Sequence, residues 1–181
     1  MKSEVRLGNP GDIDGAARVW ARATAKRDGK GEVASLEAAK AVLLDSLQKE
    51  RSTFVVAAHE SAITGFATAE PTASAQVAEV RFVGVDPDYW GSRVGGMVMT
   101  RLADELASAG FLSAQLLVYV HNAPARRLYE RMGWTWDRQK PSLHVARPIL
   151  PTGGILRPMK RPSNALHAVG SRYFGVTAIS T

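Results

Sequence analysis

Between Val77 and Val120 the sequence reads as a strand, a glycine-containing turn, a helix and a second strand. No other feature limits the possible folds as much. Val77–Val85 is an apolar strand, and Asp86-Pro87-Asp88 ends it, because Pro87 has no N–H to give to a sheet ladder. A helix is predicted from about Gly95 to Ala109, with Val98, Leu102, Leu106 and Ala109 on one stripe and Gly110 as its stop. Ser113–Val120 then reads as a buried strand. A strand–helix–strand crossover of this kind puts a parallel pair inside the sheet.

The flanking text supplies the remaining elements. Glu4–Leu7 is a short strand, and Asn9-Pro10-Gly11-Asp12 is turn chemistry in which Asp12 is placed to cap a helix. Ile13, Ala16, Ala17 and Trp20 recur at helical spacing until Arg27–Gly31 breaks the pattern. A second helix is predicted over Ser35–Lys49, with Leu36, Ala39, Leu43 and Leu47 inward. Thr53–Ala58 and Ala62–Ala69 flank a His59-Glu60-Ser61 turn and read as a hairpin. Asn122 caps a helix over Ala125–Met132, Gly133 ends it, and Trp134-Thr135-Trp136 opens another strand. The order β-α-α-β-β-β-α-β-α-β is that of an α+β (mixed α/β) domain.

Beyond Arg138 periodicity is lost, and Pro141, Pro148, Pro151, Pro158 and Pro162 punctuate the text. The expected division is one domain over residues 1–150 and a basic C-terminal tail over 151–181, with Ile155-Leu156 a candidate last strand. The net charge of +6 comes from the end of the chain. Residues 1–137 hold 16 Lys/Arg against 17 Asp/Glu, whereas residues 138–181 hold 7 Lys/Arg and no acid. A neutral body with a basic tail argues against nucleic acid as the main partner.

The chain has no cysteine, which excludes a disulfide scaffold, a Cys-based zinc site and a thiol nucleophile. His59, His121, His144 and His167 have no metal-ligand spacing, so no metal is expected. No stretch approaches the ~18 apolar residues of a membrane span. The N-terminal residues lack a signal-peptide pattern, so a cytoplasmic protein with no membrane partner is expected.

Two segments carry candidate chemistry. In Trp90-Gly91-Ser92-Arg93-Val94-Gly95-Gly96, small residues let the backbone turn and aim N–H groups outward, and the helix start adds partial positive charge. That combination suits a pyrophosphate. It is neither a Walker loop nor a dinucleotide fingerprint, and its plainest reading is an ordinary strand–helix turn. In the second segment, Tyr129 shares the inward stripe of its helix with Ala125, Leu128 and Met132, so its hydroxyl points inward and could give a proton to a leaving group. The alternative there is a core tyrosine with a satisfied hydroxyl.

Taken together, Asp86–Gly96 and Asn122-Ala123-Pro124-Ala125-Arg126-Arg127-Leu128-Tyr129-Glu130-Arg131-Met132-Gly133-Trp134 closely resemble the GNAT superfamily of N-acetyltransferases. The resemblance covers about residues 4–137 and is strongest over 79–134. The family loop Gln/Arg-x-x-Gly-x-Gly/Ala aligns on Trp90, Arg93 and Gly95; only Gly95 keeps the pattern. The resemblance implies a GNAT-like fold, a central, mostly antiparallel, twisted sheet of six to seven strands flanked by about four helices. It implies acetyl-CoA as co-substrate, lying between strands Glu79–Val85 and Ala114–Val120. Backbone groups of Val83 and Val85 would bond the pantetheine arm. N–H groups in the loop of Gly91, Ser92, Arg93, Val94, Gly95 and Gly96 would hold the pyrophosphate. Asn122 would touch the coenzyme, and Tyr129 would protonate the departing thiolate.

Glu79 is the candidate base for the acceptor amine, acting through water, and a solvated strand glutamate is the alternative. Period-two alternation sets Glu79, Arg81, Val83 and Val85 on one face. His121 is a second base candidate. A small-molecule amine and a protein N-terminus or lysine are both open as the acceptor, the small molecule being favoured; the resemblance implies that it meets the two N-terminal helices, here Ile13–Lys49, with Trp20 and the Arg27–Glu32 turn as contacts. A non-catalytic acyl-CoA-binding or regulatory module is the second reading, supported by Arg93 in place of glycine. An interaction protein using its basic tail is the third. The tail could also add a strand to a neighbouring copy and make a homodimer.

Overall fold

The structure, a computed structural model, describes residues 4–29, 33–119 and 122–135, and the backbone alone at 136 and 144–148. The candidate tail, with Ile155 and Leu156, and the base candidate His121 lie outside the described residues. In chain order the elements are β1 (Glu4–Leu7), α1 (Ile13–Arg27), α2 (Leu36–Asp45), β2 (Thr53–His59), β3 (Ala62–Pro71), β4 (Val77–Val85), α3 (Val94–Ser108), β5 (Ser113–Leu117), α4 (Ala123–Arg131), β6 (Thr135–Trp136) and β7 (His144–Pro148). No helix among the described residues is long and apolar enough to cross a membrane.

Local chemistry sets the helix ends. Asn9 caps a short 3-10 turn, Pro10–Asp12, by accepting from the Gly11 N–H at 2.8 Å. Asp12 sits at the start of α1 but does not cap it with its side chain, which corrects the sequence expectation. Its carboxylate accepts instead from the Asn9 N–H and from both terminal nitrogens of Arg6, at 2.7 and 2.9 Å. That fork holds the Asp12 carboxyl below the usual carboxylate range. Ser35 opens α2 by accepting from the Ala38 N–H. The helix ends at Asp45, short of the predicted Lys49, because buried Ser46 donates to Leu43 O and Thr68 Oγ1 and ties the chain to β3. At the far end of α3, Arg51 donates to Ala109 O at 2.7 Å and stacks on the Phe111 ring, covering a helix C-terminus with positive charge.

The strand order is β1-β2-β3-β4-β5-β7-β6. β4 and β5 are parallel and the other pairings antiparallel, so the sheet is mixed. The expectation of six to seven mostly antiparallel strands meets a five-strand mixed body, β1 to β5, continued by β7 and the two-residue β6. The core is split by the sheet. On one face α3 and α4 bury Val98, Leu102, Leu106, Leu128 and Tyr129 against Ala78, Val80, Val83 and Val85. On the other, α1 and α2 bury Ala16, Trp20, Ala39 and Leu43 against Phe54, Val56, Phe66 and Phe82. Each face removes several large side chains from water, at about 1.5–3 kcal/mol apiece.

Candidate active site

β4 and β5 are paired only at their beginnings, from Val77 with Ser113 to Val80 with Leu116. β4 runs on to Val85, whereas β5 stops at Leu117, short of the predicted Val120. The separation has a local cause. Val80 lies opposite Ala69 and Phe82 opposite Thr68, so Arg81 is an extra residue, a β-bulge. A bulge bends and twists its strand, and this one falls at the last β4–β5 pair. It also breaks the alternation: Ala78, Val80, Val83 and Val85 share the α3/α4 face, and Phe82 joins the α1/α2 face. Glu79 and Arg81 therefore do not share a face with Val83 and Val85, as strict period-two reading had it.

The bulge leaves a free backbone edge. The Asp86 N–H donates to Thr64 O on β3. By alternation the N–H and C=O groups of Val83 and Val85 then point the other way, toward the side that β5 has left. The indole N–H of Trp90 donates to Val85 O at 2.8 Å, which explains what an aromatic residue does at that loop position.

Beyond this edge, a cleft of about 710 Å³ opens around the start of α3. It collects Val85, Gly91, Arg93, Val94, Gly95 and Gly96 of the sequence-predicted set. The Met97 N–H is the first to close an α-helical bond, onto Arg93 O, so the N–H groups of Val94, Gly95 and Gly96 stand ahead of the ladder. Ser92 is turned away: its N–H and its hydroxyl both donate to Tyr89 O. Thr100, Arg101 and Arg131 also line the cleft and escaped the sequence reading. Their signal was available only as helical spacing from Gly96 and Leu128.

Arg93 caps α3 in the left-handed region, at φ 67°. A side chain there costs about 1 kcal/mol relative to glycine. Arg93→Gly is expected to raise the thermal midpoint by roughly 2–4 °C. A calorimetric midpoint at or below that of the parent protein would refute the strain.

Behind the cleft, α4 contributes two buried polar groups. Asn122 caps it, accepting from the Ala125 N–H through Oδ1, and its Nδ2 has no hydrogen-bond partner among the described residues. Tyr129 is fully buried, its ring 5.9 Å from that of Trp134, and its hydroxyl likewise has no partner there. Burial pushes the phenol well above its ordinary value, so the hydroxyl keeps its proton across the working pH range. Buried donors left unpaired cost free energy, and most such groups in native proteins have a hydrogen-bond partner.

Glu79 lies on the opposite face from Tyr129. Its carboxylate meets Arg81 Nη1 at 3.4 Å and Gln115 Nε2 at 3.5 Å. Among the described residues no group of three or more His, Asp or Glu side chains is disposed to hold a metal.

The sheet thus parts beside a helix start whose N–H groups are free of the ladder, and an unpaired phenol is buried on α4. The acetyltransferase (GNAT) family profile matches residues 19–134, and the chain belongs to that family. A mycothiol acetyltransferase of Brachybacterium faecium is 35% identical over 83 residues, covering 44% of this chain. The match spans only 25% of that relative's length. Among solved structures, paia N-acetyltransferase of Thermoplasma acidophilum with coenzyme A superposes with a TM-score of 0.68 at 18% identity, over 82% of this chain and 99% of its own. The yncA protein of Salmonella typhimurium, solved with acetyl-CoA, gives 0.65 at 15% identity, over 91% and 100%. These likenesses in structure are likenesses of fold.

Proposed function

We propose that this protein is an acetyl-CoA-dependent N-acetyltransferase that acts on a primary amine by direct attack. The observation that supports this best is the parting of β4 from β5 beside the start of α3. The residues present fit the coenzyme: the backbone edge at Val83 and the Val85 N–H, the α3 N–H groups at Val94 to Gly96, and the unpaired donors of Asn122 and Tyr129. Acetyl-CoA supplies the activated acyl group. The edge of β4 orients it, and the α3 amides with Gly91 and Arg93 bind its pyrophosphate. Ser92, its amide tied to Tyr89, contributes turn shape rather than a hydrogen bond.

Glu79 takes the proton from the acceptor's ammonium, directly or through water. The neutral amine attacks the thioester carbonyl, the C–N bond forms and the C–S bond breaks. Tyr129 gives its proton to the departing thiolate, and the nitrogen sheds its second proton to solvent as the amide forms, from which Tyr129 is reprotonated. A small-molecule acceptor is favoured by the partial relationship to the mycothiol acetyltransferase, with α1 as the wall it meets; Trp20, expected from the sequence as a contact, is instead buried against Phe82 in the core and does not face the acceptor. The same reading takes residues 1–150 as the catalytic domain, and 151–181 as an appendage.

Calorimetric titration with acetyl-CoA, followed by thiol-release assays over a panel of primary amines, tests the reading. Micromolar binding and turnover of at least one amine are expected. Binding without turnover of any amine would favour a coenzyme-binding module, and no binding would sink both.

A further inference from the structure

Glu79 sits within a cluster of charged side chains. Glu79 stands directly opposite Glu70 in the β3–β4 register. Directly opposed side chains in a sheet have Cβ atoms about 5 Å apart, so two carboxylates there repel. Glu70 is buried, with its carboxylate on Lys49 Nζ at 2.9 Å. Arg81 Nη1 lies between the two acids, 3.4 Å from Glu79 Oε1 and 3.7 Å from Glu70 Oε1. Gln115 of β5, neutral, approaches Glu79 Oε2 at 3.5 Å. Among the described residues these are the polar groups that face Glu79: Glu70 from β3, Arg81 from β4, Gln115 from β5, and Lys49 through Glu70.

The placement of Arg81 is not incidental. It is the bulge residue, at the last point where β4 and β5 are joined. The extra residue keeps its side chain on the α1/α2 face together with both its neighbours in charge, Glu70 and Glu79, while Val83 and Val85 turn to the other face. One residue therefore opens the sheet and bridges the acidic pair beside the opening. The contacts to Glu79 are long, so its carboxylate is oriented without being saturated, and lone pairs remain for a water or an ammonium group.

We infer that Arg81 is a positioning residue for Glu79: it bridges Glu79 and Glu70 and so holds the Glu79 carboxylate in place beside the last paired residues of β4 and β5. This inference rests on the reading of Glu79 as the base. Without the guanidinium, two opposed carboxylates would share one Lys49, and a proton would be the cheapest way to relieve them. Glu79 would then enter the reaction already protonated.

The test uses acetyl-CoA and whichever primary amine of the panel is turned over fastest. Arg81→Met is expected to lower kcat/KM at pH 7 about tenfold or more, to leave the Kd for acetyl-CoA within a factor of two, and to move the acid limb of the rate–pH profile upward. Arg81→Lys should recover much of the rate. The decisive variant is Glu70→Gln in the Arg81→Met background. It removes the opposing charge and should return the acid limb toward its original position, which mere loss of packing would not do. An unmoved limb in Arg81→Met, or one that Glu70→Gln fails to bring back, would overturn the inference with the coenzyme reading intact. Full activity in Glu79→Gln would remove both the base and its positioner, and absence of acetyl-CoA binding in the parent protein would remove the reading underneath them.

Discussion

Tyr129→Phe is expected to lower turnover about a hundredfold while making the uncomplexed protein more stable. The two effects have one cause. The ring fills the core between α4 and β5 and packs against Trp134, and phenylalanine keeps both contacts. What is lost is a hydroxyl that is fully buried without a hydrogen-bond partner among the described residues. Leaving such a group unpaired costs about 1–3 kcal/mol, so its removal should raise stability by about 1 kcal/mol. A proton donor placed for the leaving group contributes typically 10²–10⁴-fold, so turnover should fall while the Kd for acetyl-CoA changes little. The pH dependence carries a sign as well. The folded phenol ionises at higher pH than the unfolded one, whose ordinary value is 10.0. Below pH 10 both states keep the proton, and stability does not depend on pH through this group. Stability falls as pH rises past that point, because the unfolded chain releases its proton first. The variant should lack that alkaline decline. Denaturant melts at pH 7 and above pH 10, beside steady-state rates, separate the outcomes. Full activity in Tyr129→Phe would remove the acid role, and a less stable variant would show that the hydroxyl has a partner in the free protein.

Much of this was readable in the amino-acid order. Glu4–Leu7, Val77–Val85 and the hairpin on either side of Glu60 carry period-two or continuous apolar runs bounded by turn residues, and they form where the pattern puts them. α3 and α4 likewise follow their stripes to within a residue or two. What escaped depends on pairings that local sequence does not encode. β7, His144–Pro148, lies in text that looks aperiodic; it pairs with β5, whose far edge needs a partner, and not through any propensity of its own. The bulge at Arg81 is invisible because an extra residue changes no composition, yet it decides which residues face the cleft and which face α1. The left-handed Arg93 is hidden for the opposite reason: the residue type argues against the conformation it adopts. Within the candidate site, loop and α4 residues can be singled out in the sequence because their chemistry is local. Arg101 and Arg131 cannot, because only the packing of α3 beside α4 brings them to the same cleft.

The glycine between Val83 and Val85 makes the second large prediction. Gly84 lies directly across from Phe66, and the Phe66 ring folds over it. A Cβ at position 84 would stand 2.5 Å from Phe66 Cε1 and 3.2 Å from two further ring atoms. The ring cannot swing away, because Phe66 is fully buried among Trp20, Leu43, Phe54 and Phe82 on the α1/α2 side. Overpacking a filled core typically costs 1–3 kcal/mol, and a contact this short against a rigid ring belongs near the top of that range. Gly84→Ala should therefore lower the midpoint by roughly 6–10 °C in a domain of this size. The strand would have to give where Val83 and Val85 present their backbone edge, so the Kd for acetyl-CoA should weaken about tenfold in the same variant. Phe66→Leu in the Gly84→Ala background removes the ring atoms that collide. If the clash is the cause, the double variant will be more stable than the sum of the two single changes predicts, and coenzyme affinity will return with it. Strict additivity would mean that the glycine is needed for its backbone and not for the space it leaves. The strain would then lie in β4 itself, in the segment that follows the bulge.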